Sequence, residues 1–361
     1  MELRRTPLTE THRAAGAKMA DFGGWEMPIE YPTGGVAEHA AVRTGVGGFD
    51  VSHMGKLLVR GPGAAAALNR VLVNDLDRIA AGQAQYSMLC NGTGGVVDDL
   101  IVYRIDDQEL RIVPNAANAA TVRDTLVALL PPRVTVTDLH ESEGILAIQG
   151  PDSRAVVEAL GLLKSGASLD YMAFRIVDRP GGPVVVCRTG YTGEHGYELI
   201  VGAGALPGLW EQITARATPC GLGARDTLRT EMGYPLHGQD LSPEITPVEA
   251  GMSWAVGWDK PEFVGRTALV KQRADGRPRA LRGLLLEGRG VPRAHMPVLR
   301  PDGSAAGETT SGTFSPTLRV GIALALVDPA LAFGDEVAID IRGRAVPARV
   351  VRLPFVDSSP K

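Results

Sequence analysis

One stretch near residue 90 constrains the fold of this chain more than any other, because two strand-like runs flank a glycine-rich turn. The first run begins at Tyr86 and ends at Cys90, and the second extends from Val96 to Tyr103. Between them lie residues 91–95, Asn-Gly-Thr-Gly-Gly, whose glycines permit the positive φ angles that a tight hairpin requires. The pattern predicts an antiparallel β-hairpin.

The second strand of this hairpin carries two adjacent carboxylates, Asp98 and Asp99. Side chains alternate across a strand, so one aspartate shares a face with Leu100 and the other with Ile101. A carboxylate among apolar neighbours loses solvation and needs a partner. Two interpretations are open: a partnered acid in a functional site, or a strand end where both acids reach water.

Length and composition predict two or three domains built from short elements. The chain has 361 residues, including 44 glycines and 25 prolines, which favours many turns over long helices. Residues 259–282 contain a basic run typical of a helix and linker, and we expect the main domain boundary there. Short alternating runs from Leu284 onward predict a small all-β domain.

A strand, a Gly-Pro pair and a helix occur twice, which predicts two related α+β modules. Gly61-Pro62 follows one strand and Gly150-Pro151 follows another. Proline suits the start of a helix, where its missing N–H is not needed. We also expect a short helix over residues 12–20, followed by a turn over residues 21–28.

Several classes of function are not supported by the sequence. A net charge of −4 gives no reason to expect a nucleic-acid partner, and no apolar run is long enough to span a membrane. The three cysteines lie far apart and the histidines are not paired at ligand spacing, so neither disulfides nor a metal site is expected. The Gly61-Pro-Gly63 run lacks the downstream acid of a nucleotide site.

The loop over residues 190–198 is a candidate binding segment. Its glycines form a compact turn that brings Tyr191 and Glu198 together, with Glu198 expected to begin a strand. A carboxylate can pair with adjacent N–H donors of an aminopyrimidine ring, and tyrosines can stack on a flat heterocycle. The alternative is a solvent-exposed turn with incidental acids.

Arg225 lies in the first turn of a predicted helix and is a candidate for holding an anionic group. The competing interpretation is a structural ion pair with Asp226 or Glu231. The residue pattern alone favours that pair.

Several motifs together resemble the aminomethyltransferases of the glycine cleavage system, the T-protein family. The resemblance runs from Arg5 to about Phe355, in order and with matching spacing. The segments that carry it are Asp21-Phe-Gly-Gly-Trp-Glu-Met-Pro28, Phe49-Asp-Val-Ser-His-Met-Gly55, residues 91–102, Arg188-Thr-Gly-Tyr-Thr-Gly-Glu194, Gly221-Leu-Gly-Ala-Arg-Asp226, Gly238-Gln-Asp240, Val264-Gly-Arg-Thr-Ala-Leu269 and Thr310-Ser-Gly-Thr-Phe-Ser-Pro-Thr317.

The resemblance implies a three-lobed α+β fold around a central tetrahydrofolate site. Residues 1–270 would form two related α+β lobes, and residues 280–361 a C-terminal β-barrel domain. The implied reaction moves the aminomethyl carbon from the lipoyl arm of the H-protein to tetrahydrofolate. It yields 5,10-methylenetetrahydrofolate, ammonia and the dihydrolipoyl carrier, with tetrahydrofolate as co-substrate and no metal, flavin or nucleotide.

The resemblance also assigns residues that the alternation of the strand could not choose. Asp99 matches the essential aspartate of the family. The positions that match folate contacts are Tyr86, Asp99, Tyr171, Tyr191, Glu198 and Arg225.

The turn that contains His53 and Met54 is our candidate for the entrance of the lipoyl arm. Met54 suits an apolar arm because an unbranched thioether adapts its shape. Ordinary core packing is the alternative for Met54.

The chain departs from the family at two places. His237 replaces a more usual tyrosine, which we interpret as a neutral packing change. The residues after Phe355 include neither tyrosine nor arginine, which leaves a folate contact by the C-terminal tail open. The short segment before Thr6 has no room for an organelle transit peptide, so a bacterial cytoplasmic enzyme is expected.

Two rival functions occur within the same superfamily. Iron–sulfur assembly factors carry a cysteine-containing motif where this chain has Gly221-Leu-Gly-Ala-Arg-Asp226. Flavin-linked demethylases need a further nucleotide-binding domain, and stand-alone sulfonium demethylases should diverge around residues 50–54.

Overall fold

The computed structural model describes residues 2–361. Within that range the chain forms three open sheets, a closed barrel and eight α-helices. The α+β class expected from the sequence is confirmed, and the C-terminal all-β part closes into a six-stranded barrel.

A three-stranded sheet at the N-terminus corrects two expectations. Residues 12–20 do not form one helix, and residues 21–28 are not simply a turn. The strands are β1 (Arg4–Arg5), β2 (Lys18–Phe22) and β3 (Trp25–Glu30). β2 pairs antiparallel with β3, and β1 pairs parallel with it. Pairing with a neighbouring strand therefore overrides the weak helical preference of the segment after Ala14.

A six-stranded sheet belongs to the second α+β module. Its strands are β4 (Gly47–Asp50), β10 (Glu143–Gln149), β11 (Phe174–Val177), β12 (Val184–Cys187), β13 (Gly196–Gly202) and β14 (Thr218–Pro219). They lie in the order β11-β12-β13-β10-β4-β14. Glu198 lies inside β13 and does not begin it, because pairing with β10 starts at Gly196.

A five-stranded sheet contains the predicted hairpin. Its strands are β5 (Leu57–Arg60), β6 (Gln83–Cys90), β7 (Val96–Arg104), β8 (Glu109–Pro114) and β9 (Thr135–Asp138). They lie in the order β6-β7-β8-β5-β9. The hairpin of β6 and β7 is confirmed, with Met88 opposite Asp99.

The turn of this hairpin explains its glycines. Gly94 has φ of 88°, a conformation that side chains other than glycine rarely adopt. A Cβ on Gly95 would lie 1.7 Å from the carbonyl oxygen of Pro243. The amide of Asn91 also donates to that carbonyl at 2.9 Å, so the turn is fixed against the chain that follows the second module.

The barrel is formed by the last six strands. They are β15 (Ala280–Leu286), β16 (Pro297–Leu299), β17 (Ala305–Ser315), β18 (Val320–Val327), β19 (Glu336–Asp340) and β20 (Ala345–Val351). The barrel closes in the order β15-β18-β17-β16-β19-β20. Closure leaves no unpaired sheet edge.

The helices are short, as the composition predicts. They are α1 (Thr9–Ala14), α2 (Gly35–Thr44), α3 (Ala64–Asn69), α4 (Ala119–Leu129), α5 (Ser153–Ala159), α6 (Leu206–Thr214), α7 (Leu222–Glu231) and α8 (Arg266–Asp275). The two predicted strand, Gly-Pro, helix units are β5 to α3 and β10 to α5, one in each larger sheet.

Helix α7 lies where the parts of the molecule meet, since it packs against β3, α2 and barrel strands β17 and β18. Beside it, Tyr103 of β7 and Phe174 of β11 join one hydrophobic core from two different sheets. No helix within residues 2–361 has the length and apolar character needed to cross a bilayer.

Candidate active site

A cavity of about 270 Å³ opens where the two larger sheets, α7 and the turn at residues 253–255 meet. All eight residues singled out from the sequence line it. They are His53, Met54, Tyr86, Asp99, Tyr171, Tyr191, Glu198 and Arg225. The fold therefore brings together side chains from five separate parts of the chain, and their roles are predictions.

Asp99 reaches the cavity because it alternates with a buried neighbour along β7. The hydroxyl of Tyr86 donates to Asp99 Oδ2 at 3.1 Å, and the amide of Asn115 donates to Oδ1 at 2.8 Å. Asn115 is held there because β8 pairs with β7 up to Pro114, directly before it. The carboxylate is thus fixed from two sides while it lines the cavity.

Asp98 points the opposite way and is completely buried, which rules out a strand end where both acids reach water. Its carboxylate accepts hydrogen bonds from the Asn115 backbone at 3.0 Å, the Asn115 amide at 2.9 Å and the Asn118 amide at 2.7 Å. Asn115 therefore contacts both acids and couples the position of one to the other.

The acid pair ionises less readily than two free aspartates. Burial raises the pKa of Asp98, and the neighbouring Asp99 charge raises it further. Burial also raises the pKa of Asp99, while the hydrogen bonds from Tyr86 and Asn115 oppose that shift. Two carboxylates in such a place keep a proton closer to neutral pH than isolated ones do.

His237 extends this hydrogen-bond network, so its role is more than the packing that we expected from the sequence. Its Nδ1 lies 2.9 Å from the Asn118 amide, and its Nε2 lies 3.0 Å from the carbonyl oxygen of Val96. These partners assign Nε2 as the protonated nitrogen and Nδ1 as the acceptor. The imidazole holds Asn118, and Asn118 holds Asp98.

Glu198 is placed by a short chain of hydroxyl groups. The hydroxyl of Thr189 donates to Glu198 Oε2 at 2.5 Å, and the hydroxyl of Tyr103 lies 3.3 Å from that of Thr189. Glu198 lines the cavity and has no cationic partner within hydrogen-bonding distance among residues 2–361. Its position in β13 rejects the interpretation of a solvent-exposed turn.

Tyr191 and Arg225 form one wall. The hydroxyl of Tyr191 donates to the carbonyl oxygen of Pro235, and its ring stacks on Tyr234 with centroids 5.8 Å apart. The Arg225 guanidinium lies 4.3 Å from the centre of the Tyr191 ring. Tyr191 is therefore fixed at both its hydroxyl and its ring.

Arg225 is not the structural ion pair that the pattern alone favours. Asp226 pairs with Arg229 at 2.8 Å, and Glu231 pairs with Arg43 at 2.8 Å. Burial lowers the pKa of Arg225, and the Tyr191 and Glu198 groups oppose the shift. Within the described chain Arg225 makes no ion pair, so it is available to an anionic or carbonyl group.

The mouth of the cavity carries an exposed aromatic residue that the sequence did not reveal. Trp254 is 63% exposed, lines the cavity and stacks on Tyr86 with ring centroids 5.6 Å apart. Tyr171 lines the cavity too, with the Arg188 guanidinium 5.9 Å from its ring centre. A lone tryptophan between short elements gives no periodic signal, so only the fold identifies it.

The two residues proposed for the entrance differ in exposure. His53 is 1% exposed, and its ring packs edge-on against Phe22 with centroids 5.3 Å apart. Met54 is half-buried and packs against the core that contains Tyr103 and Phe174. Both line the cavity, and an entrance role for them stays a prediction.

The C-terminal tail lies behind the loop at residues 190–198. The hydroxyl of Ser358 donates to the carbonyl oxygen of Gly193 at 2.8 Å, and Arg188 donates to the carbonyl oxygen of Pro360 at 2.5 Å. The described tail contributes no residue to the cavity lining. Its contacts therefore support the loop from outside.

Sequence reasoning missed the amides that hold the acid pair. Asn115 and Asn118 follow the end of a strand at a spacing of three, and a 3₁₀ turn places both beside Asp98. An Asn-x-x-Asn pair after a strand next to a predicted acidic hairpin was the available signal.

The site defines a class of protein: an enzyme that places two carboxylates, Asp99 and Glu198, and the unpaired Arg225 on one aromatic-lined cavity. Comparison with known proteins then identifies the family. Residues 8–260 match the GCVT N-terminal domain, and residues 279–357 match the glycine cleavage T-protein C-terminal barrel domain.

Relatives that match over the whole chain support the same family. The chain is 58% identical to the aminomethyltransferase of Parafrankia sp. (strain EAN1pec) and 58% identical to that of Frankia alni, with 100% of each chain covered. It is 52% identical to the aminomethyltransferase of Mycolicibacterium paratuberculosis over 98% of this chain and 97% of that one.

A solved structure gives the same result. The crystal structure of glycine cleavage system aminomethyltransferase T from Bartonella henselae superposes with a TM-score of 0.93 at 35% identity, covering 99% of both chains. The chain belongs to the glycine cleavage T-protein family and is an aminomethyltransferase, as the resemblance implied. This family uses tetrahydrofolate as a substrate.

Proposed function

We propose that the cavity is where this chain transfers a one-carbon unit from the aminomethyl-dihydrolipoyl arm of an H-protein to tetrahydrofolate. The observation that carries the proposal is the joint placement of Asp99, Glu198 and Arg225 on one cavity of about 270 Å³. That volume is close to the lower end of ligand pockets, roughly 300–1,000 Å³. It suits the folate heterocycle, with the rest of the substrate extending toward the mouth.

The reaction needs two proton movements, and Asp99 is our candidate to guide them. Two C–N bonds form to the folate amines, while the C–N and C–S bonds of the aminomethyl thioether break. The two protons lost by the folate amines end on ammonia and on the released thiol. A carboxyl group whose pKa is raised by burial holds a proton more readily than a free aspartate does and can return it to a leaving group.

Asp99 also suits the charge that develops in the reaction. The carbon acquires iminium character as its leaving groups depart, and a carboxylate that is already fixed in place stabilises that charge without reorganising. Its bonds to Tyr86 and Asn115 provide the fixation. Asp98 and Asn118 are positioning residues in this proposal, since they act through Asn115 and do not line the cavity.

Glu198, Tyr191 and Arg225 form the end of the cavity that we assign to the pterin. A carboxylate can accept two parallel N–H bonds from the aminopyrimidine edge, and the aromatic wall packs against a flat ring. Glu198 Oε1 has no hydrogen-bond partner within residues 2–361, which leaves it available for this contact. Tyr86 and Tyr171 line the remaining wall.

The carrier arm is proposed to enter beside Met54 and Trp254. Trp254 is the large exposed residue at the mouth, and it packs on Tyr86, which holds Asp99. Folate and the lipoyl arm bring the reactive atoms, so the chain is proposed to need no metal, flavin or nucleotide. Division into residues 1–270 and 280–361, and localisation in a bacterial cytoplasm, also stay proposals.

The test combines the purified chain, aminomethylated H-protein and tetrahydrofolate, and measures 5,10-methylenetetrahydrofolate and ammonia. We expect both products in equal amounts, and neither when the H-protein is omitted. Asp302→Asn is a control variant, because it removes an exposed carboxylate that is not part of the cavity lining, and it should give the same yields as the unaltered chain. Ammonia release without methylenetetrahydrofolate would contradict the proposal.

A further inference from the structure

His53 is a buried histidine whose ring has no hydrogen bond to the protein. The side chain lines the cavity and is 1% exposed, and its Nδ1 is fully buried without a partner. Nε2 has no hydrogen bond within residues 2–361 either. Only the backbone of His53 makes a polar contact with a side chain, because its carbonyl oxygen accepts a hydrogen bond from His140 Nε2 at 2.8 Å. An unpaired ring in a substrate cavity needs an explanation.

The surroundings keep this imidazole neutral. Burial lowers the pKa of His53 to about 3, and the charges of Arg225, Lys56 and His140 act in the same direction. Asp50 opposes them, but it is already bonded to His12 at 3.0 Å and Thr6 at 2.8 Å. A neutral imidazole carries one N–H donor and one acceptor.

Burial of Nδ1 decides which nitrogen carries the proton. A buried N–H without an acceptor is costlier and rarer than an unpaired lone pair. The proton therefore belongs on Nε2, and the acceptor lone pair is left on Nδ1. His53 thus offers a bound molecule one N–H donor with no net charge.

We propose that His53 determines substrate specificity by donating a hydrogen bond from Nε2 to the ring carbonyl oxygen of the bound pterin. This inference rests on the proposed function. In a 2-amino-4-oxopyrimidine the carbonyl acceptor adjoins two N–H donors, and Glu198 is the acceptor in the cavity for those donors. His53, Glu198 and Arg225 all line the same cavity. A neutral N–H donor in the cavity that holds Glu198 completes the match to that edge.

The experiment pairs variants of the whole chain with two ligands. Dissociation constants are measured by calorimetry for tetrahydrofolate and for its 4-amino analogue. In the analogue an amino donor replaces the carbonyl acceptor, and the adjoining ring N–H that faces Glu198 becomes an acceptor. The proteins are the unaltered chain, His53→Leu, which removes the donor, and His53→Gln, which retains an N–H. Circular dichroism and thermal melting check that each variant folds.

We expect the unaltered chain to prefer tetrahydrofolate over the analogue by about tenfold or more. His53→Leu should reduce that preference about tenfold by weakening tetrahydrofolate, while the part that depends on Glu198 persists, and His53→Gln should restore part of the loss. The Michaelis constant for tetrahydrofolate should rise more than kcat falls. A merely structural residue would weaken both ligands alike.

Three results would overturn the inference. The first is a full preference in folded His53→Leu. The second is a preference abolished by Arg225→Gln and unaffected at His53, which would assign the donor to Arg225. The third is no preference in the unaltered chain, which decides the question even if His53→Leu fails to fold. Absence of tetrahydrofolate binding by the unaltered chain would instead contradict the proposed function.

Discussion

Helix α7 carries two arginines one turn apart that meet opposite environments. Arg225 faces the cavity without an ion pair, and its guanidinium lies over Tyr191. Arg229 donates to Asp240 at 2.8 Å, to Asp226 at 2.8 Å and to Ser311 at 2.9 Å. Both arginines border the cavity, but Arg225 has no ion pair there, whereas Arg229 is satisfied by Asp226, Asp240 and the barrel residue Ser311.

The barrel side of α7 pairs its acid equally well. Glu231 accepts from Arg43 at 2.8 Å, from the Ser315 hydroxyl at 2.5 Å and from the Thr317 hydroxyl at 2.9 Å. The nearby His39 lies 3.3 Å from the same carboxylate. We call Arg229, Asp240, Glu231 and their partners the seam between the second module and the barrel.

The difference separates stability from function. In the seam every buried charge has its partners within the protein, so it holds two parts of the fold in one arrangement. At the cavity, Asp99 and the buried Asp98 behind it have raised pKa values, and Arg225 has no anionic partner within residues 2–361, which leaves interactions for a substrate to complete. Changes in the cavity should therefore alter catalysis, and changes in the seam should alter unfolding.

The largest expected effect is on turnover. Asp99→Asn should lower kcat by roughly 10²–10⁴-fold while folding and most folate binding persist, because the amide keeps size and loses proton transfer. Steady-state kinetics with circular dichroism measure this. Asp98→Asn should reduce turnover less and destabilise more, since its amide would face the N–H donors of Asn115 and Asn118. Equal turnover losses in the two folded variants would refute our choice of Asp99.

In the seam, Glu231→Gln should destabilise the chain by about 3–5 kcal/mol and leave kcat of the folded protein nearly unchanged. Breaking a buried pair strands the charge of Arg43, which keeps one weaker partner in Glu194. Urea denaturation at pH 7 measures the change. The exposed Glu336→Gln on the barrel is the matched control. If Glu231→Gln is as stable as the unaltered chain but has impaired turnover, the proposed division between a stabilising seam and a catalytic cavity is wrong.

The pH dependence of stability should differ between the two regions. Burial by itself raises the pKa of Glu231, but hydrogen bonds from His39 and Ser315 outweigh it and lower that pKa to about 2. A lowered folded-state pKa gives stability that is present above the unfolded value of about 4.3 and is lost as pH falls toward 2, roughly 3 kcal/mol in total.

The acid pair acts in the other direction. A raised folded-state pKa gives stability that is fully present below about 3.9 and is lost as pH rises through the folded value. Denaturation series between pH 2 and pH 8 should therefore show Glu231→Gln and the unaltered chain converging at low pH. Asp98→Asn should flatten the decline on the alkaline side, and parallel curves for all three proteins would contradict both assignments.

Local sequence rules predicted what depends on neighbouring residues along the chain. Alternation along β7 separated Asp98 from Asp99, and the glycine-rich turn predicted the hairpin that holds them. The expected helix over residues 12–20 was wrong because the helix ends at Ala14 and pairing with β3 makes residues 18–20 part of a strand. Such pairing partners are not visible in the segment itself.

The sequence also could not show which arginine pairs with which acid, because that depends on the three-dimensional fold. Arg225 has Asp226 and Glu231 nearby in the sequence, but Arg229 and Arg43 pair with those acids. The competition depends on Arg43, which lies far away in the sequence on α2. The family resemblance assigned Arg225 to the folate site, and only the three-dimensional contacts explain why it has no structural partner.

A smaller effect is expected at Glu198. Glu198→Gln should weaken tetrahydrofolate about tenfold, because one hydrogen bond in a dry site becomes mismatched at roughly 1–3 kcal/mol. Calorimetry on the folded variant measures it. Glu194→Gln is an informative comparison, since Glu194 lies in the same loop but bonds Arg43 and Ser358 outside the cavity. An unchanged dissociation constant for Glu198→Gln would mean that this carboxylate does not contact the pterin.

The smallest expected effect is at Met54, where the contrast between cavity and core is least sharp. Met54 lines the cavity and also packs against the central core, so both roles are physically open to it. Met54→Asp should raise the Michaelis constant for the H-protein several-fold and leave folate binding unchanged, because an apolar arm would pass a charged side chain. Met54→Leu keeps the apolar surface and serves as the control. If Met54→Asp lowers the melting temperature and harms both substrates alike, Met54 belongs to the core, and the arm enters past Trp254 alone.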